Sequence, residues 1–304
     1  VERIIITSSG VSVSSSALYL AVTNRIPVTF AYSSGAPFGF LTPTLGHGTV
    51  LTRRAQYMEA ATELATTLAV GFVRGKVLNQ RALLRMWARN RTRSEPVKSD
   101  RLFALSDELV PLLDELNDLD GPMNSAMRQA IMNIEGRAAV AYWEGVGTIL
   151  ADWLEFRGRI TRGAEDPFNM MLNYGYGILY SEVWSAVNTA GLDPFAGFLH
   201  TDRPGRPSLV LDVIEEFRQQ VVDRVLIALL HRMHSVRSGI LDEKGLSKNI
   251  RRKIAEAVIA RLDDQVVTGT DKVVVKNAIV RQCWQVVKVL RREKMKYEPF
   301  FVRW

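Results

Sequence analysis

His200 stands at the head of the loop His200-Thr201-Asp202-Arg203-Pro204-Gly205-Arg206-Pro207, and the run that follows, LVLDVIEEFR, carries Asp212, Glu215 and Glu216. An imidazole near carboxylates is a ligand set for a divalent cation, and histidine is a common ligand of first-row metals. Arg203 and Arg206 lie between them, where guanidinium forks can clamp phosphate oxygens. The combination points to metal and phosphate chemistry. Asp212 and Glu215 are three residues apart, so on a helix they fall about 60° apart on one face and can address a common point. Asp212 and Glu216, four apart, can do the same. Each feature also has a plainer reading: amphipathic helices bring acids together, Arg218 is at hand as an ion-pair partner, and a histidine after the apolar Phe195-Ala196-Gly197-Phe198-Leu199 is often a satisfied core donor. The two arginines favour the site, because a structural histidine does not require them.

A third ligand has to come from another helix, and the chain offers Glu135, Glu144 and Glu182. Glu135 stands in Met132-Asn133-Ile134-Glu135-Gly136-Arg137-Ala138-Ala139, an acid in an apolar stretch whose burial costs several kcal/mol without a cation or hydrogen-bond partner. Arg137 is the plain partner. Glu182, in Tyr180-Ser181-Glu182-Val183-Trp184, is its rival, and residue types alone do not choose between them. His231 and His234 are spaced for a metal pair but lack a nearby acid, and read as helix surface; His47 reads as a turn residue.

The elements that must position these groups change character near residue 50. Before it, Ile4-Ile5-Ile6-Thr7, Val11-Ser12-Val13 and Pro27-Val28-Thr29-Phe30-Ala31-Tyr32 are β-branched or aromatic runs between Ser/Gly turns, with one short helix capped from Ser14 to Ser16. After it, helical periodicity predicts helices over 52–70, 72–91, 99–118, 123–153, 166–190, 206–235, 245–263 and 271–295. The fold class expected is α+β, a small N-terminal β-rich domain (1–50) followed by a large all-α C-terminal domain (51–304). Val1 falls within a strand-like run and is not a methionine, so the N-terminal domain is expected to be incomplete.

At 304 residues and 47% hydrophobic, the chain can bury a sizeable core. Its net charge of +7 favours polyanionic partners. The charge is concentrated: 74–101 holds nine Lys/Arg against two acids and 244–304 fifteen against six, leaving the middle balanced or acidic. One cysteine, Cys283, excludes an intramolecular disulfide and a multi-cysteine zinc site. No apolar run reaches the roughly 18 residues of a membrane span, so no membrane partner and a cytoplasmic setting are expected.

Three segments carry a resemblance: IEGRAAVAYW at 134–143, DPFNMMLNYGYGILYSEV at 166–183 and GLDPFAGFLHTDRPGRPSLVLDVIEEFR at 191–218. They resemble the motifs of the CRISPR-associated spacer-acquisition integrases, the Cas-one family, and the likeness runs over essentially the whole chain. It implies that Glu135, His200 and Glu215 bind a divalent metal, Mg²⁺ or Mn²⁺, with Asp212 as an adjacent acid that joins or supports the site, and leaves Glu182 a structural role. It further implies an N-terminal β-domain that dimerises, a homodimer, and assembly with the small Cas-two partner.

The function expected on this basis is a metal-dependent endonuclease and integrase acting on double-stranded and branched DNA. Arg203 and Arg206 are candidates for phosphate contacts, and Asn169, Asn173, Tyr174 and Tyr180 for positioning a DNA end. The tyrosines of this stretch, including Tyr176, fit core packing equally well. The basic runs would hold the DNA backbone without reading sequence. Two rivals remain: a non-catalytic DNA-binding scaffold whose acids are paired internally, and a metal phosphodiesterase acting on RNA.

Overall fold

The structure is a computed structural model that describes residues 4–7, 10–24, 26–32, 37–41, 49–232, 239–243, 245–294 and 296–302. His47 and His234 lie outside the described residues. The N-terminal region forms a three-stranded sheet in the order β1 (Ile4–Ile6), β2 (Val28–Ala31), β3 (Pro37–Leu41). β1 runs parallel to β2, with α1 (Ser15–Thr23) between them in sequence, and β2 pairs antiparallel with β3, Thr29 opposite Phe40. Ser14 caps α1, its hydroxyl accepting the Ala17 amide at 3.2 Å. The sheet meets the rest of the chain through Phe40, which stacks on Trp184 with ring centroids 4.3 Å apart.

From Thr49 on the chain is mainly helical: α2 (Thr49–Met58), α3 (Glu63–Arg89), α4 (Pro96–Asn117), α5 (Ser125–Ile149) and α6 (Pro167–Thr189). α3, α4 and α5 pack on one another around Phe72, Leu83, Leu84, Leu102, Leu105, Leu109 and Tyr142, all fully buried. α6 carries apolar or small residues on nearly every side, as a helix enclosed by others must. It packs against α7 (Ser208–Ile214), α9 (Lys248–Asp263) and α10 (Val275–Leu290). Among the described residues no helix is long and apolar enough to cross a membrane.

Three expectations from sequence need correction. The break expected at Gly71 lies instead at 59–62, where the Thr62 hydroxyl accepts the Leu64 amide and starts α3. Gly71 is inside the helix because the Tyr297 ring occupies the space a side chain would need. The single helix expected over 206–235 is divided: α7 ends at Ile214, a turn follows, and a π-helical turn, Gln219–Asp223, leads into α8 (Arg224–Arg232). That π turn inserts an extra residue and keeps all five of its side chains buried, Asp223 among them. The C-terminal region is also not purely helical. It contains two hairpins, β4 (Leu241–Asp242) with β5 (Gly245–Leu246), and β6 (Gln265–Thr268) with β7 (Asp271–Val274). The second takes the first turn expected of the last helix: Val266, Val267, Thr268, Val273 and Val274 are β-branched, and Gly269 supplies the left-handed residue of the turn at φ 60°.

Segment 296–302 returns across α3. Asn79, wholly buried on α3, donates to the carbonyls of Glu216 and Phe300 at 2.9 Å each and accepts the Val302 amide at 3.1 Å. The Glu216 carboxylate accepts from the Tyr297 hydroxyl, the Phe300 amide and, at 3.0 Å, the Gln282 side chain. The tail is thus fastened by buried polar groups that are satisfied only when it is in place.

Candidate active site

The loop before α7 is folded around the carboxylate of Asp212. One of its oxygens accepts the amides of Phe198 at 2.6 Å and Leu199 at 3.0 Å; the other accepts the His200 amide at 2.9 Å and the His200 Nδ1 at 2.7 Å. Gly197 allows the close approach, since a Cβ there would run into Ser208 and the Asp212 carboxylate. A carboxylate only accepts, so Nδ1 carries the hydrogen of this bond and Nε2 is the ring nitrogen left outside it. Gln56 of α2 holds the start of the same loop, donating to the carbonyls of Asp193 and Ala196 and accepting the Asp193 amide.

Glu215, the residue after α7, is 4% exposed. One carboxylate oxygen meets Arg218 at 3.0 Å and the other meets Lys76 of α3 at 2.6 Å. Lys76 also pairs with Glu135 of α5, so one ammonium joins the two acids. Burial alone would raise the Glu215 pKa, but Arg218, Lys76 and His200 reverse that and hold its carboxyl well below the usual range. Burial likewise works against the Lys76 charge, and Glu215 and Glu135 more than restore it.

Glu135, His200 and Glu215 line one cavity of about 1460 Å³. The structure therefore brings the three together from α5, the loop before α7 and the end of α7, with side chains 25%, 17% and 5% exposed. Among the described residues no group of three His, Cys, Asp or Glu stands close enough to enclose an ion; the Lys76 ammonium lies between two of the acids. Asp212 is wholly buried, and both its oxygens are engaged by the loop and the His200 ring. Arg203 and Arg206 line the rim of the cavity, a turn apart, with the Arg206 amide bonded to the Arg203 carbonyl at 2.9 Å.

The other candidates fall elsewhere. Arg137 pairs with Glu115 rather than Glu135, and Glu144, on the cavity wall, pairs with Arg101 at 2.8 Å. Glu182 is outside the cavity lining. Tyr174 is buried, and Tyr180 packs with Trp184 and Phe40; neither reaches the cavity. Asn169 and Asn173 do not line it either, but both hold Arg159, which does. His231 accepts from Arg91 at 3.1 Å, which accounts for it without a metal.

Lys76 and Arg159, both on the cavity wall, were not singled out from the sequence; Tyr176, which the sequence left evenly between core packing and a part in the site, is on that wall too, and Arg218 was named only as an ion-pair partner. Lys76 had a signal. It falls four residues after Phe72 and seven before Leu83, on the face of α3 that turns inward, so a charge there needs a partner. Arg159 belongs to Arg157-Gly158-Arg159-Ile160-Thr161-Arg162, three arginines in six residues, of which all three line the cavity.

Residues 1–260 match the family model described as CRISPR associated protein Cas1. CRISPR-associated endonuclease Cas1 1 of Archaeoglobus fulgidus is 35% identical over 303 residues, covering 96% of this chain and 87% of that protein. Among solved structures, a casposase bound to integration product superposes with a TM-score of 0.83 at 24% identity, over 98% of this chain and 80% of the casposase. The Cas6-RT-Cas1–Cas2 complex gives 0.76 at 20% identity, over 98% of this chain and 32% of the matched one. At these identities the two structures establish the shared fold. The family match and the extent of the Archaeoglobus relative together place this chain in the Cas1 family of CRISPR-associated proteins.

Proposed function

We propose that the protein is a divalent-metal-dependent DNA endonuclease and integrase that inserts DNA fragments into a CRISPR array by transesterification. The observation that carries this reading is the meeting of Glu135, His200 and Glu215 on one cavity whose rim and walls carry Arg203, Arg206, Arg159 and Arg218. It agrees with the endonuclease name of the Archaeoglobus relative and with the integration product held by the casposase.

The residues present fit a divalent cation by their chemistry. Two carboxylates already share one positive charge, and the Asp212 hydrogen bond engages Nδ1 of the imidazole beside them, so that Nε2 would be the coordinating nitrogen. Glu135, His200 and Glu215 would hold Mg²⁺ or Mn²⁺, the nitrogen donor making Mn²⁺ as acceptable as Mg²⁺, and Asp212 would fix the ring rather than add an oxygen. When bound, the cation polarises a phosphodiester and stabilises the charge that develops on it. Arg203 and Arg206 grip neighbouring phosphates at the rim. The 3′-hydroxyl of a captured fragment attacks phosphorus, a new ester bond forms, the old P–O bond breaks and the displaced strand leaves with a 3′-hydroxyl. No covalent enzyme intermediate is required.

The assembly proposed is a homodimer that works with the Cas2 partner in the cytoplasm. Residues 1–50 would form the dimerising domain and 51–304 the catalytic one. Exposed apolar side chains on the N-terminal region and α2, such as Tyr19 at 72% and Met58 at 78%, support a covered face there. The Cas1–Cas2 title of the matched complex supports the partner.

Internal pairing of both acids with Lys76 favours a second reading, a non-catalytic DNA-binding scaffold. A strand-transfer assay on a supercoiled repeat-bearing plasmid, with Mg²⁺ or Mn²⁺ and with or without Cas2, separates the two. Glu135→Ala and His200→Ala abolish cleavage and transfer while leaving DNA binding nearly intact if the first reading holds; unchanged activity in both variants selects the scaffold. Branched DNA, linear DNA and RNA at equal concentration test for a phosphodiesterase acting on RNA.

A further inference from the structure

Arg159 lies on the loop between α5 and α6 and reaches the same cavity. Its guanidinium donates to Asn169 Oδ1 at 3.0 Å, to Asn173 Oδ1 at 2.6 Å and to the Ile160 carbonyl. All three acceptors are uncharged. The two asparagines also fasten the loop itself: Asn169 donates to the Gly158 carbonyl at 2.8 Å and accepts the Ile160 amide at 2.9 Å, and Asn173 donates to the Thr161 carbonyl at 3.1 Å. Asn169 is wholly buried and is itself held by Asp166, the cap of α6. Arg159 is therefore set in a rigid frame of neutral groups, with no carboxylate of the described residues in contact with it.

An aromatic ring lies against it as well. The guanidinium carbons of Arg159 and Arg218 lie 5.2 and 5.1 Å from the centroid of Tyr176. The Tyr176 hydroxyl donates to Asp223 at 2.5 Å, and Tyr142 donates to the same buried carboxylate at 2.8 Å. The two arginines differ in what answers their charge. Arg218 has Glu215 at 3.0 Å, whereas Arg159 has amide oxygens in contact, Arg218 as a neighbouring like charge, and the Asp223 and Asp166 carboxylates acting on it only from beyond contact. A planar fork held rigid, part-buried and without a direct counter-ion is suited to receive an anion from the cavity, since little side-chain freedom is left to lose on binding.

We propose that Arg159 is a backbone-phosphate contact of this cavity and that Tyr176, through its ring, positions Arg159 beside Arg218. The proposal rests on reading the cavity as a DNA site. It gives Asn169 and Asn173 an indirect part in the same contact, as the anchors of its loop.

The test is fluorescence anisotropy of a labelled branched DNA titrated with the full-length chain between 50 and 200 mM NaCl. Each phosphate contact contributes about 0.9 to the slope of log K against log salt. Arg159→Gln is expected to lower the slope by about one, so that the affinity lost over this salt range shrinks about 3.5-fold. Arg159→Lys keeps the slope, since it keeps the charge. Tyr176→Leu lowers the slope as Arg159→Gln does although it removes no charge, and Tyr176→Phe, which keeps the ring, does not. Thermal melts check each variant's fold, and Tyr176→Met replaces Tyr176→Leu if the latter melts early.

An unchanged slope in Arg159→Gln, or an equal fall in Arg159→Lys, overturns the contact. A normal slope in the ring-deleted variant, or a fall in Tyr176→Phe equal to it, overturns the positioning role. Absence of DNA binding by the unmodified protein at every salt concentration, together with no strand transfer, overturns the proposal along with the DNA reading; that pattern differs from normal binding that Arg159→Gln leaves untouched.

Discussion

Glu215 and Glu216 are neighbours in the chain and equally hidden from solvent, yet they face opposite environments. Glu215 turns to the cavity, where Arg218, Lys76 and His200 overcome the effect of burial and keep it ionised. Glu216 turns to the tail, where burial pushes its pKa up to about 8 and the donors Tyr297, Phe300 and Gln282 bring it only part of the way back. Asp223, seven residues further on, resembles Glu216: burial pushes it up to about 6 against the pull of two tyrosine hydroxyls and more distant arginines. Carboxylates of one short segment are thus divided between a wet, cationic wall suited to chemistry and a dry interior suited to fastening. Adjacent residues fall about 100° apart on any helix, and here the turn at 215–217 after α7 sends one to the cavity and the other to the tail.

The largest effect that would break this contrast is functional. Glu215→Gln is expected to reduce strand transfer by about 10²- to 10³-fold or more, the scale of losing a principal electrostatic group, with DNA binding preserved; a plasmid strand-transfer assay measures it. If Glu216→Gln is equally inactive at full stability, the two acids do not differ in role.

Next in size is a stability effect on the other side. Glu216→Ala leaves the Tyr297 hydroxyl and the Phe300 amide without their acceptor and takes one of three acceptors from the Gln282 side chain, and should cost about 3 kcal/mol, at roughly 1–3 kcal/mol per buried group left unpaired. Urea unfolding reads this directly. An alanine variant as stable as the parent would show that the tail is not fastened there.

A smaller effect follows from Asp223. Its folded pKa, about 6, lies above its ordinary 3.8, so the folded state holds this proton longer than the unfolded state. The contribution of the group to stability is complete below about pH 3.8 and is lost as the pH rises through 6. Asp223→Asn should remove that part of the pH dependence, so the parent and variant stability curves converge at low pH and separate toward pH 6, which chemical unfolding across pH 4 to 7 records. Glu215 has the reverse sign, its contribution being lost only as the pH falls below its ordinary range.

The smallest effect concerns the rim. Arg203→Gln should weaken DNA binding only a few-fold and reduce the salt slope by about one, uniformly across sequences. A sequence-dependent loss would mean that the rim reads bases and not only phosphates.

Much of the site was legible before its geometry. His200, Arg203, Arg206 and Glu215 lie within sixteen residues, and their types announce metal and phosphate chemistry. The choice of Glu135 over Glu182 was not legible from residue types, since both are acids in apolar helical stretches; the resemblance of 134–143 made it. Lys76 and Arg159 were missed because each acts across the fold: 59 residues separate Lys76 from Glu135, and Arg159 depends on asparagines of the following helix. The change of texture near residue 50 falls where α2 begins, at Thr49, after the three N-terminal strands, but it gave no sign of the short hairpins near the C-terminus. The divided helix at 206–232 was illegible because its apolar pattern is continuous, and what breaks it is the burial of Glu215, Glu216 and Asp223 against distant partners. The β6–β7 hairpin was hidden for a related reason: four strand residues run straight into a helical pattern with no proline or glycine between them.

The docking of segment 296–302 on Asn79 also bears on how the chain matures. Asn79 waits for partners 221 and 223 positions downstream. At about 5–20 residues per second, a ribosome takes roughly 10 to 45 seconds to supply them. Throughout that interval the Asn79 side chain and the Glu216 carboxylate lack the partners that segment 296–302 supplies. Chaperone engagement during synthesis should therefore persist until segment 296–302 emerges, and a message cut short just before the codons of that segment should yield a polypeptide that is destroyed instead of a smaller working enzyme.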